Sequence, residues 1–291
     1  MIIGIDAGGT STIGALMDEG GNIQATFKSG FGNPLIDLER AFLHIEEVMK
    51  ACKQASDQKI SRVIIGMAGY STLKHKLNLP SHWENDHPVH ILSDAELAFE
   101  AGIPDGEGIL TIAGTGSIHI GKHNDILYTA GGWGHLLGDE GGGYHIGKQA
   151  IRHVLTDLEY SRVKGSFTKK LLSHLNLQDS NGIKEWFYTS DKSEVAKLSR
   201  FVADLSRAKN KTASNLMIKS AQTLAEQVNR LYKNIGLTDK SKLVVSGSLL
   251  IQNDSYFKYF KQALKPDFSS VEKLGAPPYS GAYSLHLKMN S

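Results

Sequence analysis

The stretch Ile2-Ile3-Gly4-Ile5-Asp6-Ala7-Gly8-Gly9-Thr10-Ser11-Thr12-Ile13-Gly14-Ala15-Leu16-Met17 decides how the rest of the chain is read. Two apolar runs, Ile2 to Asp6 and Thr12 to Met17, flank a turn of glycine and hydroxyl residues. A third run, Ile23 to Lys28, follows Gly20 and Gly21. Short apolar runs parted by glycine turns predict a β-meander. Outward from it, Ala41, Phe42, Ile45, Val48, Met49 and Cys52 fall at helical spacing between Leu38 and Ala55. An apolar strand Val63 to Met67, a polar stretch, a strand Val89 to Leu92 and a short helix from Ala95 complete a β-β-β-α-β-α-β-α order.

The pattern then restarts. Ile109 to Ala113, Ile118 to Gly121 and Ile126 to Thr129 form a second set of three short strands, which points to internal duplication. Each set places a small-residue turn after its first strand, Ala7-Gly8-Gly9-Thr10-Ser11-Thr12 in one and Gly114-Thr115-Gly116-Ser117 in the other. Fourteen of the 30 glycines lie from Gly102 to Gly147, so backbone there turns sharply or approaches something closely, and this region is read as the functional centre. Beyond Gly147 the chain becomes helical, most clearly from Asn215 to Ile235 along the stripe Leu216, Leu224, Val228, Leu231 and Ile235. A strand from Leu243 to Val245 then runs into Ser246-Gly247-Ser248. The expectation is an α/β chain of two domains, residues 1–114 and 115–278, with a terminal helix over 279–291 returning to the first.

Composition narrows the function. With 32 Lys plus Arg against 30 Asp plus Glu the net charge is +2, no footprint for nucleic acid or an anionic membrane, and small molecules are the expected partners. No basic leader and no run of about 18 apolar residues is present, which predicts a cytoplasmic protein. The single Cys52 removes every multi-cysteine metal or cluster site.

A turn of Gly, Thr and Ser can aim several backbone amides and hydroxyls at one spot, which suits a polyanion such as the phosphates of ATP. One such turn reads as a plain hairpin; two at matching places, with Ser246-Gly247-Ser248, favour nucleotide binding. The run Gly116 to Lys122 has P-loop spacing, but His123 stands where Ser or Thr should ligate Mg²⁺, and strand-like residues surround it. The dinucleotide fingerprint fails at His119. Three carboxylates occupy chemically telling places: Asp6, Asp94 and Asp139. Asp6 can hold Mg²⁺ through water or cap its turn. Asp94, between a strand and a helix, can accept a hydroxyl proton or serve as an N-cap.

These residues carry a resemblance. The segment Gly131-Gly132-Trp133-Gly134-His135-Leu136-Leu137-Gly138-Asp139-Glu140-Gly141 is specific, and with Asp6-Ala7-Gly8-Gly9-Thr10, Ser93-Asp94-Ala95 and Gly114-Thr115-Gly116-Ser117 it resembles the N-acetylglucosamine kinase family. That family lies in the BadF/BadG/BcrA/BcrD-type ATPase branch of the sugar kinase, hsp70 and actin superfamily. The resemblance spans nearly the whole chain and implies two RNase H-like domains flanking a cleft. It also implies ATP and Mg²⁺ as cofactors, transfer of phosphate to the 6-hydroxyl of an amino sugar in salvage or cell-wall recycling, and a homodimer. By the same likeness Asp94 is the catalytic base and Asp6 the magnesium-associated acid. Gly8, Gly9, Thr10, Ser11, Thr115, Gly247 and Ser248 contact the nucleotide. Asn33, Ser117, Gly132, Trp133, Gly134 and Asp139 contact the sugar.

The residues permit plainer roles for some of these: Trp133 as a core anchor, and Asn33, before Pro34, as a turn residue. Ile118 stands where vertebrate members carry an asparagine that touches the sugar, so the choice among N-acetylglucosamine, glucosamine and N-acetylmuramic acid stays open. Gly142 and Ala7 also depart from the pattern without removing a needed group. Two other functions are less well matched by the residues: an ATPase activating a partner enzyme, for which Cys52 alone is poor material, and a sugar-binding regulator without catalysis, against which both phosphate-type turns and both aspartates stand. A zinc-bearing glucokinase branch is excluded by the cysteine count.

Overall fold

Ile2, Ile3 and Ile5 are almost wholly removed from solvent although they alternate in direction, so the first strand must be covered on both faces. The computed structural model describes residues 1–161 and 163–290, so the last residue of the expected terminal helix lies outside the described residues. The chain divides into two units. The first holds Met1 to Gly106 with the C-terminal residues from Leu274, and the second runs from Glu107 to Lys273.

The first unit is built on strands β1 (Ile2–Ala7), β2 (Thr12–Met17), β3 (Ile23–Ser29), β4 (Arg62–Met67) and β5 (Val89–Ser93), in the sheet order β3-β2-β1-β4-β5. The first three strands form the antiparallel meander; β1, β4 and β5 run parallel. Helix α1 (Leu38–Gln54) begins at Asp37, whose side chain accepts from the Arg40 N–H, and lays Ala41, Ile45, Val48, Met49 and Cys52 against Ile3, Ile5 and Ala7. Burial pushes the Cys52 thiol up to about 12, which makes it a small core group rather than a nucleophile. A one-turn helix α2 (Tyr70–Leu73) lies in the polar stretch, where the sequence signals no element. The opposite face is covered by α3 (Asp94–Gly102) and by a helix over Gly281–Lys288, with Ile2, Met17, Ile64, Leu92, Leu97 and Ala282 in one cluster. That last helix starts later than the expected residue 279, after a 3₁₀ turn over Pro278–Ser280.

The second unit repeats the plan. Strands β6 (Gly108–Ala113), β7 (Ser117–His123), β8 (Ile126–Gly131), β9 (Lys242–Ser246) and β10 (Ser270–Lys273) follow the order β10-β9-β6-β7-β8, again an antiparallel meander beside a parallel pair. The shared order is the structural form of the duplication seen in the sequence. The P-loop-like run is simply β7, which pairs on both sides. Between the meander and β9 lie helices α4 (Gly143–Tyr160), α5 (Ser166–Leu175), α6 (Ser180–Thr189), α7 (Lys192–Arg207) and α8 (Lys211–Ile235). Helix α8 is longer than its stripe suggests: Asn210 caps it, Gly236 closes it in the left-handed region, and Met217 takes the buried place while Leu216 is half-buried. Helices α9 (Ser248–Gln252) and α10 (Asp254–Ala263) follow β9, and the helix over Gly281–Lys288 is α11. One cluster unites Ile109 and Ala113 of β6, Leu243 and Val245 of β9, and apolar residues of α4, α5, α7, α8 and α10.

The boundary therefore falls at Gly106/Glu107, not after Gly114 as the turn chemistry had placed it. Strand β6 hydrogen-bonds to β7 and β9, so it belongs with the meander it starts; likewise β10 pairs with β9 and carries the second unit to Lys273.

Candidate functional site

The site residues of the first unit gather by strand direction. Parallel β1, β4 and β5 put their C-terminal ends side by side, with Asp6 opposite Gly66 and Met67 opposite Ser93. Along β1 the period of two sends Ile3, Ile5 and Ala7 toward α1 and leaves Ile2, Gly4 and Asp6 on the face covered by α3 and α11. Asp94 opens α3 on that same face. Gly66 makes the approach possible, since a Cβ there would lie 2.6 Å from the Leu97 Cβ and 3.2 Å from the Asp94 Cα.

The cap of α3 resolves which role Asp94 plays. Ser93 is the N-cap: its hydroxyl accepts from the Glu96 N–H at 3.1 Å, and the Glu96 carboxylate accepts from the Ser93 N–H at 2.8 Å. Asp94 is thus spared capping, correcting that alternative, and its carboxylate accepts locally from the Ala95 N–H at 2.9 Å. Burial, and after it the Asp94 charge, pushes Asp6 up to about 7. Burial also raises Asp94, opposed by the backbone amides at Ala95 and at its own position. Two neighbouring carboxylates, each raised chiefly by burial, and Asp6 further by the Asp94 charge, form a place that favours a proton or a cation.

Around them, the Gly8 N–H donates to the Ser11 carbonyl at 3.0 Å and closes the turn, while Gly9 and Thr10 are exposed. Among the described residues the amides of Gly9, Thr10 and Ser11 meet no backbone acceptor, leaving them free for a phosphate. The Gly32 N–H donates to the Gly8 carbonyl at 2.8 Å, which brings Asn33 to this edge. The Asn33 Oδ1 accepts from the Leu35 N–H at 2.9 Å, so the turn role is real and occupies only the oxygen; the amide nitrogen remains available.

In the second unit β6 and β9 run parallel and end together. Gly247, at φ 87°, is pressed onto β6: a Cβ there would stand 2.3 Å from the Ala113 carbonyl oxygen. Gly114 consequently lies beside Ser248, and the Gly114–Gly116 turn meets the Gly247–Ser248 turn. Thr115 is exposed, and the carbonyls of Gly114 and Thr115 accept the Gly143 and Tyr144 N–H groups at 2.8 and 2.9 Å. Those carbonyls replace a side-chain cap on α4, whose N-cap is Gly142.

The specific glycine-tryptophan segment has an anchored base and a bare tip. Asp139, at φ 62°, is 3% exposed and accepts from the Lys192 Nζ at 2.9 Å. Its carboxylate lies against Gly116, where a Cβ would come within 2.4 Å of Oδ2. The Glu140 carbonyl accepts from the Ser117 hydroxyl at 2.8 Å, and the Gly141 carbonyl from the Tyr256 hydroxyl at 2.6 Å. Ser117 is therefore a buried tie of this loop. Gly132 and Gly134 have φ of 71° and 81°, and between them Trp133 is 72% exposed, which sets aside the core-anchor alternative. His135 packs edge-on against Tyr144 at 4.8 Å.

Lys192, Tyr256 and Gly66 lie outside the sequence motifs, and Ser93 stands in one of them without a role of its own. Ser93-Asp94-Ala95-Glu96 does carry the capping-box spacing, which could have identified Ser93; Lys192 and Tyr256 lie 53 and 115 positions from their partners, and no local pattern marks them. Among the described residues no group of three or more His, Cys, Asp or Glu could hold a metal ion by itself. Asp6 fits Mg²⁺ in the manner usual for that ion, as one hard oxygen ligand beside phosphates and water. No described helix is long and apolar enough to cross a membrane.

Known proteins match this architecture along its length. The model of the BadF/BadG/BcrA/BcrD ATPase family matches residues 3–283. An N-acetyl-D-glucosamine kinase of Dictyostelium discoideum is 28% identical over 99% of this chain and 98% of its own. An N-acetylmuramic acid/N-acetylglucosamine kinase of Clostridium acetobutylicum is 29% identical over 63% of this chain and 61% of its own. Among solved structures, a Chromobacterium violaceum protein proposed to be an N-acetylglucosamine kinase superposes with a TM-score of 0.77 at 20% identity, over 98% of both chains, and shares the fold.

Proposed function

We propose that this chain, which belongs to the BadF/BadG/BcrA/BcrD ATPase family, transfers the γ-phosphoryl group of ATP to the 6-hydroxyl of an amino sugar, N-acetylglucosamine in the first instance. The observation that carries the reading is Asp94: a half-buried carboxylate at the head of α3, released from capping by Ser93 and set beside Asp6 and a turn with free amides.

In this reading Asp94 accepts the proton of the sugar 6-hydroxyl as that oxygen bonds to the γ-phosphorus and ADP leaves. Its raised affinity for a proton suits the task, and positioning counts for more than basicity in phosphoryl transfer. Asp6 is the residue that would hold Mg²⁺, which when bound neutralises charge on the phosphates. The amides of Gly9, Thr10 and Ser11 and the Gly8 turn contact phosphate in the first unit. Thr115 does so in the second, with Gly247 and Ser248 toward the adenosine. Asn33 offers its amide N–H groups to the sugar, Gly132 and Gly134 their backbone, Trp133 its ring face and Asp139 a carboxylate oxygen, while Ser117 supports them by fixing Glu140.

The names of the relatives support an amino sugar as acceptor, and both N-acetylmuramic acid and glucosamine remain in the class to be assayed. A homodimer and a cytoplasmic setting belong to the same reading. The experiment is ADP release from Mg²⁺·ATP across N-acetylglucosamine, glucosamine, N-acetylmuramic acid and glucose. Release that depends on an amino sugar supports the proposal, and release with none of them refutes it.

A further inference from the structure

Lys192 lies outside the glycine-tryptophan segment and opens α7, whose start is fixed by a capping box between Asp191 and Glu194. Its ammonium lies 2.9 Å from Oδ2 of Asp139, while its side chain remains 37% exposed. Asp139 needs a partner for two reasons. The carboxylate is nearly sealed from water, and a buried charge left alone is costly. Its backbone also sits in the left-handed region and its carboxylate lies over Gly116; Lys192 makes the one ion pair to it among the described residues, and the His135 ring lies close enough to feel its charge.

The division of labour between the two carboxylate oxygens follows. Oδ2 is committed to Lys192, and Oδ1 accepts no hydrogen bond from the described residues. A carboxylate able to swing would present either oxygen, or neither; a single ammonium contact fixes which edge is offered.

We propose that Lys192 is the positioning residue for sugar recognition: it holds Asp139 in one rotamer over Gly116 so that the remaining oxygen accepts a sugar hydroxyl. This rests on the reading of Asp139 as a sugar contact. Lys192 acts through Asp139 and takes no part in proton or phosphoryl transfer. An equally buried aspartate without such a partner would have to lose its charge or bring in water, and either would weaken it as an acceptor for a neutral hydroxyl.

The test is calorimetric binding of N-acetylglucosamine and, separately, of Mg²⁺·ATP to the whole protein, for the native chain, Lys192→Met, Lys192→Arg, Asp139→Asn and the double variant Lys192→Met/Asp139→Asn. Lys192→Met is expected to weaken sugar binding about tenfold or more and leave nucleotide binding within about twofold. Lys192→Arg should recover most of the loss, and the double variant should bind sugar no more weakly than Asp139→Asn alone, since both changes remove one function. Unchanged sugar affinity in Lys192→Met overturns the proposal while leaving the kinase reading intact, as do equal losses for sugar and nucleotide, which mark a merely structural lysine. A native protein that binds no amino sugar overturns both.

Discussion

Gly66 lies directly beneath the start of α3, so close that a Cβ on it would stand 3.2 Å from the Asp94 Cα. The same residue pairs with Asp6 across the parallel ladder. One missing methyl group therefore sets how near the two carboxylates come. Gly66→Ala has to displace α3 or the strand, because the Leu97 Cδ2 at 2.7 Å can swing aside but the Leu97 Cβ and the Asp94 Cα are fixed to the helix backbone. A loss of about 1–3 kcal/mol of stability is expected from overpacking, together with a fall in kcat of tenfold or more as Asp94 shifts. Thermal unfolding and steady-state kinetics on the same preparation check both; a variant with native stability and native kcat would show that the closeness is not needed.

The Tyr256 hydroxyl, fully buried on α10, reaches the Gly141 carbonyl at 2.6 Å. Burial pushes this phenol upward, so it remains a donor. Tyr256→Phe leaves an unsatisfied carbonyl and should cost about 1–3 kcal/mol. If the bond steadies the loop between Asp139 and Gly143, hydrogen exchange at Gly141 to Gly143 will quicken in the variant; exchange as slow as in the native protein would remove Tyr256 from that role.

Asp157 ties the start of α5, accepting from the Gly165 N–H at 2.8 Å and from the Thr168 hydroxyl. Those hydrogen bonds, with one from Ser161, hold its carboxyl near about 2, below the ordinary carboxylate value. A depressed folded-state value means that the stabilisation is complete above the unfolded value of about 4 and disappears as pH falls through about 2. Asp157→Asn should therefore lower Tm by about 2–4 °C at neutral pH, and the gap should close between about pH 4 and pH 2. A gap that is the same at every pH would assign the loss to packing rather than charge.

The strands of both meanders could be read from the sequence because each is a short run with apolar residues bounded by a glycine turn or, between β7 and β8, by Asn124-Asp125, a signal carried by neighbouring residues. Strand β10 could not: it has four residues, is only partly buried and carries one large apolar side chain, Val271, so its pairing with β9 depends on tertiary context. The boundary between the units was misplaced because the turn at Gly114 looks like a break, whereas sheet pairing on both sides of β6 decides membership. At the site, Asp6, Asp94, Asp139 and the glycine turns stand out by residue type. What those residues lean on does not, since Lys192 and Tyr256 are ordinary members of helix faces until folding brings them to Asp139 and Gly141.

The division of roles between Ser93 and Asp94 separates folding from chemistry within two adjacent residues. Asp94→Asn leaves the cap of α3 intact and relieves the repulsion on Asp6, so the variant should fold and unfold at a temperature no lower than the native protein. The most direct measurement is its kcat for sugar-dependent ADP release beside its affinity for the sugar. Proton acceptance by Asp94 predicts a kcat lower by about 10²–10⁴ with sugar affinity changed only a few-fold. Undiminished turnover in a well-folded Asp94→Asn protein would contradict it.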